Sequence, residues 1–236
     1  MRTVLDTRNW PLIAPLPSYG RGRELPGGSN VVVRYVTILA PSDSPNTDGV
    51  DPDSSSNVCI EDSYISTGED LVAVKSGWDE YGIAYGRPSF DITIRRIRGS
   101  SQFAGIAVGS ETSGGVENVL AEHINRYNMG VGINIKTNIG RGGFIRSITV
   151  SDMYMEKVRK GVKIAGDVGD HPDEKCNQNA FPIVTGITLK DIWSVQVQQA
   201  GLLLGLNFTG ICLCKINLHG VTGSRNALWL AGLHIL

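Results

Sequence analysis

The sequence predicts an all-β fold, a right-handed parallel β-helix wound as a single-stranded solenoid, and three observations lead there. Seven short runs rich in β-branched residues begin at Val31, Val58, Ile92, Val119, Ile148, Ile187 and Ile211, at intervals of 27, 34, 27, 29, 39 and 24 residues. Such intervals belong to repeat architectures, in which one unit cannot bury its own apolar row but stacked units share a continuous core. A second run follows five of these starts at a near-constant offset: Leu71 lies 13 residues after Val58, while Ile106, Ile133, Val162 and Gly201 lie 14 after theirs. Finally, the chain of 236 residues holds 29 glycines and only 7% aromatics, a composition suited to short strands joined by tight turns. A β-sandwich also has many short strands, but its antiparallel hairpins have no need of a repeated internal offset.

Taken in order, residues 1–29 are rich in Pro, Gly and Arg without periodicity and read as an irregular N-terminal segment. From residue 30 to 222 the unit is strand, turn, strand, turn, most runs alternating apolar with polar as half-buried strands do. Two turns are enlarged. Residues 76–90 form a long aromatic turn around Trp78, Tyr81 and Tyr85, and account for the 34-residue interval; residues 166–185 form a second loop. Long loops on a rigid scaffold often carry function. Residues 223–236 make an atypical C-terminal tail.

Composition excludes some classes. A net charge of −1 gives no reason to expect nucleic-acid binding, and no apolar run is long enough for a membrane helix. The start, Met1-Arg2-Thr3-Val4-Leu5-Asp6, has no apolar stretch of the kind a secretory signal needs. Cys212 and Cys214 share one strand face and are poorly placed to bridge; Cys59 is expected in the core and Cys176 as a free thiol in a polar loop. The sequon Asn207-Phe208-Thr209 has meaning only in a secreted chain. His123, His171, His219 and His234 match no ligand or triad spacing and read as surface or core residues. Nothing here sets an oligomeric state.

The chemistry is expected from two acidic sites twenty-one residues apart: Asp48 in Asn46-Thr47-Asp48-Gly49, and the pair Glu69-Asp70 after Gly68. If one coil separates them, the carboxylates converge on one outer face, at a spacing that glycosidic hydrolysis with inversion can use. Crowded carboxyls raise one another's pKa, which keeps an acid available near neutral pH. Adjacent strand residues point oppositely, so Glu69 and Asp70 share a site only at a bend, which Gly68 supplies. Lys75, Arg141 and Arg146 read by default as solvated cations.

At Asn46-Thr47-Asp48-Gly49, Gly68-Glu69-Asp70, Gly105-Ile106-Ala107-Val108-Gly109-Ser110 and Ile135-Lys136-Thr137, the chain resembles the polygalacturonases of glycoside hydrolase family 28. Lys75-Ser76-Gly77-Trp78-Asp79-Glu80-Tyr81-Gly82 is similar to the plant branch of that family. The resemblance implies a hydrolase of α-1,4-linked galacturonan in pectin, secreted to the cell wall and working without metal or cofactor. It implies Glu69 as the general acid, Asp48 and Asp70 as the bases that activate water, and Lys136, Asn134 and Gly105 at substrate-binding positions. Three departures stand out. Glu69 replaces an aspartate, Phe103-Ala104-Gly105 falls where the family has Gly-His-Gly, and Asn134 replaces the arginine of its Arg-Ile-Lys motif. These departures make a non-catalytic β-helix that binds pectin or a protein partner the alternative. A calcium-dependent pectate lyase fits less well, since no calcium cluster is evident. The stretch from Trp10 to Gly28 resembles the family's approach to its first coil, yet at Asn30 a mid-helix strand follows, so early coils are expected to be missing and the groove shortened. An uncapped first coil makes the chain prone to association.

Overall fold

The computed structural model describes the backbone of Thr3–Asp6 and residues 27–205 and 208–222. Most of the N-terminal segment, the tail from 223 and Asn207 of the sequon lie outside the described residues. The elements are β1 (Thr3–Asp6), β2 (Ser29–Arg34), β3 (Val36–Leu39), β4 (Ser56–Glu61), β5 (Tyr64–Thr67), β6 (Val72–Val74) and α1 (Asp79–Tyr85). They continue with β7 (Ser89–Arg95), β8 (Arg98–Val108), β9 (Val116–Lys136), β10 (Phe144–Ala165), β11 (Ile183–Leu204) and β12 (Phe208–Leu218).

Every strand pairing is parallel and joins one coil to the next, as a β-helix requires. All seven starts read from the sequence are direct partners: Val31↔Val58, Val58↔Ile92, Ile92↔Val119, Val119↔Ile148, Ile148↔Ile187 and Ile187↔Ile211. The second runs stack as Val72↔Ile106↔Ile133↔Val162↔Gly201. The partner of Ile106 is therefore Val72, not Leu71, and the offset is the same 14 residues in all five coils.

A coil carries three strands rather than two. Between the two runs lies another face, stacked as Thr37↔Tyr64↔Arg98↔Asn125↔Tyr154↔Trp193↔Asn217 and extended by β1 against β3. The corners on either side of the first run, the second of them leading into this face, are left-handed residues at fixed places. Asn30, Asn57, Asp91, Asn118, Ser147, Gly186 and Gly210 stand one residue before the seven starts, all with positive φ. Tyr35, Asp62, Arg96, His123, Asp152, Asp191 and Lys215 stand four residues after them, with φ between 50° and 55°. Such a conformation costs an ordinary residue on the order of 1 kcal/mol, and Asn, Asp and Gly bear it most cheaply. The chain turns there because stacking on neighbouring coils over-determines the corner.

The core runs along the axis. Its inward rows are Val50–Val72–Ile106–Ile133–Val162 and Ile97–Ile124–Met153–Ile192, nearly all fully buried. Each such side chain is worth about 1.5–3 kcal/mol on burial. Cys59 departs from expectation: Val58 and Ile60 point inward, which turns the thiol to the outer face. All four cysteines are free. The turn 76–90 holds a short helix, α1, with acidic Asp79 and Glu80 in its first turn and Gly86 closing it at φ 59°.

One inward row breaks the rule. In Ile38–Ile65–Gly99–Arg126–Met155–Ser194, Arg126 is fully buried, and none of its guanidinium nitrogens has a partner among the described residues. Burial alone lowers its pKa to about 9, so it remains charged at neutral pH. The corresponding penalty is roughly 5 kcal/mol. We expect Arg126→Leu to raise the urea midpoint at pH 7 by an amount equivalent to several kcal/mol. The folded state binds fewer protons than the unfolded above about pH 9, so the wild type gains stability there and the gap narrows. An unchanged or lowered midpoint would show that the guanidinium is solvated.

Candidate active site

The second run of each coil forms a third face, and two consecutive coils place the acidic residues on it. Val50 bridges to Val72, so Asp48 and Asp70 occupy equivalent positions one coil apart. The ladder is continuous there: Gly49 N–H donates to the Asp70 carbonyl (2.9 Å) and Val50 N–H to that of Leu71 (3.1 Å). Asp70 N–H donates to Asp48 Oδ1 at 3.0 Å, and Ala104 N–H, one coil further on, donates to Asp70 Oδ1 at 2.8 Å. The column 48–70–104 is thus held by backbone donors reaching the carboxylates of the coil before.

Glu69 joins this column because the chain bends at Gly68 and Glu69, between β5 and β6. A Cβ at Gly68 would lie 2.2 Å from the Ser44 carbonyl, so only glycine lets the 41–48 segment pack against the bend. The Glu69 carbonyl is fixed by Thr67 Oγ1 (3.0 Å) and by the Ser101 hydroxyl. Its carboxyl receives the Asn46 N–H and stays half-exposed.

The charges sort the carboxyls into different protonation states. Burial, together with the nearby charges of Asp48 and Asp70, raises Glu69 to about 7. Burial works the same way on Asp48, but Lys75, hydrogen bonds from Asp51 and Lys75, and Lys136 outweigh it and hold that carboxyl below the usual range. Lys75 Nζ donates to Asp48 Oδ2 at 2.9 Å and to the fully buried Asp51 Oδ2 at 2.8 Å. Burial pushes Asp51 well up, against the opposing charge of Lys75 and with the Asp48 charge adding to it. Lys136 Nζ donates to Asp70 Oδ2 at 2.8 Å. Burial disfavours the charge on both lysines, yet Asp51, Glu111 and Asp48 around Lys75, and Asp70 and Glu111 around Lys136, raise both. A carboxylic acid that gives up its proton near neutrality, beside an ionised carboxylate, can donate one proton and accept another.

Asn134 lies on the same strand as Lys136, pairing with Ala107 on one side and Lys163 on the other. Its Oδ1 is buried without a partner among the described residues. Lys163 is depressed by burial and by its lysine neighbours, Lys160 first and Lys136 after it. Ala104 belongs to a small apolar cluster with Ala73 and Ala107, so no imidazole sits at this point. Gly105 is explained by packing, since a Cβ there would lie 2.8 Å from the Gly132 carbonyl. Sequence reasoning missed Asp51 and Lys163 and left Lys75 on a solvated face. Lys75 and Lys163 share a signal, a polar residue at an outward position of the second run, visible once the 14-residue offset is made strict; Asp51 lies 20 residues after Val31 and only the pairing of Val50 with Val72 places it.

Other residues leave the site. Arg141, expected on the surface, is fully buried and pairs with Asp79, while its Nε donates to the Ser110 carbonyl at 2.9 Å. Arg146 pairs with Glu117 and stacks on Phe144 elsewhere on the helix. Trp78 and Tyr81 clasp the second loop, through Asp170 O (2.9 Å) and Asp173 Oδ2 (2.6 Å). We expect Lys75→Met to destabilise the fold by roughly 3 kcal/mol at pH 7 in chemical denaturation, because it strands two buried carboxyls. A loss below about 1 kcal/mol would mean the pair is solvated.

Comparisons with known proteins show the family and the fold. The sequence model of the family described as glycosyl hydrolases family 28 matches residues 23–227. The chain is 42% identical over 231 residues to a probable polygalacturonase of Vitis vinifera, covering 96% of this chain and 45% of that protein. It is 35% identical over 183 residues to an endo-polygalacturonase of Pectobacterium carotovorum subsp. carotovorum, covering 76% of this chain and 41% of that one. Among solved structures, a hyperthermoactive exopolygalacturonase from Thermotoga maritima superposes with a TM-score of 0.73 at 29% identity, over 82% of this chain and 44% of that one. The chain spans less than half the length of these relatives.

Proposed function

The chain belongs to glycosyl hydrolase family 28, and from that membership we propose that its third face hydrolyses α-1,4-linked galacturonan in pectin by single displacement. The observation that carries this is the split between Glu69, raised to about 7, and Asp48, held ionised, on neighbouring coils. Glu69 protonates the leaving glycosidic oxygen. Asp48 and Asp70 hold the attacking water on the opposite side of the sugar and take its proton, giving inversion. The scheme balances: one proton passes to the leaving group, one comes from water, and the glycosidic bond is exchanged for a bond to hydroxyl.

Lys136 meets the galacturonate carboxylate, and Lys163 supplies a second cation beside Asn134, where the family's arginine is absent. Lys163 stands in for the bidentate fork, and both ammonium groups bind as point charges. The polymer proposed as substrate lies in plant cell walls, so the site of action is outside the cell. Among the described residues, no helix is long and apolar enough to cross a membrane.

Reducing-end release from polygalacturonate is expected to follow a bell in pH. Activity rises as Asp48 ionises, below the ordinary carboxylate range, and falls as Glu69 loses its proton near about 7. Glu69→Gln removes the alkaline limb and costs roughly 10²–10⁴-fold in rate. Background release from both proteins would overturn hydrolysis, and retained, salt-sensitive oligogalacturonate binding would then identify a binding module. Lys163→Ala should raise KM several-fold with kcat little changed; an unaltered KM would remove Lys163 from the substrate site.

A further inference from the structure

Away from the acidic face, three residues with metal-binding side chains converge where the two enlarged loops meet. Asp79 opens α1, and His171 and Cys176 come from the loop 166–185, some 92 residues along the chain from Asp79 in the case of His171. One ligand atom from each lies within 4.8 Å of the others. His171 Nδ1 is 2.6 Å from Asp79 Oδ2. We propose that Asp79, His171 and Cys176 bind a divalent transition metal of the zinc class, which fastens the loop 166–185 to α1.

The donor set selects the ion. One imidazole nitrogen, one sulfur and one carboxylate oxygen suit zinc, whereas calcium and magnesium take oxygen only. Three protein ligands leave a fourth tetrahedral position for water. The Asp79 carboxylate is fully buried while the His171 side chain is 28% exposed, so an ion enters from the loop side. Asp79 Oδ1 is occupied by the buried Arg141 guanidinium, which itself donates to Ser110 O (2.9 Å) and Asp170 O (2.6 Å). Arg141 therefore fixes the carboxylate and leaves Oδ2 as the ligand, the role that outer hydrogen bonds play at metal centres.

Cys176 is set up in the same way. Gln178 Nε2 donates to its sulfur at 2.9 Å, which orients the sulfur as an acceptor. A Cβ at Gly140 would lie 3.0 Å from His171 Cε1 and 3.2 Å from the Cys176 Cβ, so glycine there lets both ligands close on the helix. One thiolate and one carboxylate supply two negative charges to a divalent ion, and Arg141, solvated by the Ser110 and Asp170 carbonyls, leaves the cluster with one net positive charge. On binding, the thiol proton is released to solvent and a neutral His171 ligates through Nδ1. The imidazole then carries its hydrogen on Nε2.

The loop so fastened runs beside the strand end that bears Lys136. Val168 N–H donates to Thr137 O at 2.9 Å and Asn138 Nδ2 to Gly169 O at 2.7 Å. The site is independent of the hydrolytic reading, because none of its ligands touches the acidic face.

The test uses the full chain, freed of metal with EDTA and titrated with zinc and with cobalt(II). One equivalent should bind. Cobalt should give a sulfur-to-metal charge-transfer band that Cys176→Ser abolishes, and His171→Asn should weaken zinc by roughly tenfold or more. Zinc should also slow proteolysis within 166–185. No stoichiometric uptake overturns the proposal. Uptake by the wild type without the charge-transfer band overturns it equally, and that measurement needs no variant to fold. Unchanged zinc affinity in both variants places the ion elsewhere and does the same.

Discussion

Parallel register between coils is the constraint on which everything else depends. Because the backbone of each coil hydrogen-bonds to the coils above and below, a residue is held about 4.8 Å from its equivalents, and a slip of one position would turn every side chain to the other face. That is why Ile148 sits between Val119 and Ile187, and why Asp70 sits above Asp48. The core and the site are two sides of the same ladder: inward residues give apolar rows, and outward residues of the second run give the acidic face.

The site inherits a cost from this arrangement. Stacking brings Asp48, Asp51, Glu69 and Asp70 together, and their mutual repulsion must be offset. Lys75 holds Asp48 and Asp51, Lys136 holds Asp70, and the Ala104 N–H adds a donor where the family has a histidine. On Glu69, burial and the charges of Asp48 and Asp70 outweigh Lys136, which is why its proton is retained to about 7. The same crowding that strains the fold separates acid from base. Arg126 shows the opposite case, a charge placed in an inward row with nothing among the described residues to offset it.

Much of the fold was legible. The seven starts were found from β-branched runs alone because an inward row must be apolar in every coil, and apolar rows leave a period in the sequence. The middle strand was not found, since its outward face mixes Tyr64, Arg98, Asn125 and Tyr154 and carries no common pattern. The corners before the first run did leave a mark: Asn30, Asn57, Asp91 and Asn118 precede four starts, and that run of Asn and Asp is the preference of the left-handed conformation. Leu71 and Val72 are both apolar, and only the pairing of Val72 with Ile106 distinguishes them.

By itself the sequence determined the solenoid, its seven-coil ladder and the acidic residues Asp48, Glu69 and Asp70, because periodicity and local motif need no knowledge of contacts. Tertiary structure alone decided which charges neutralise which. Lys75 could as well have been solvated, Arg141 could have faced the substrate, and His171 matched no spacing until a loop folded it against Asp79 and Cys176. Side chains brought together from distant loops and coils obey distance in space, and linear spacing holds no record of it.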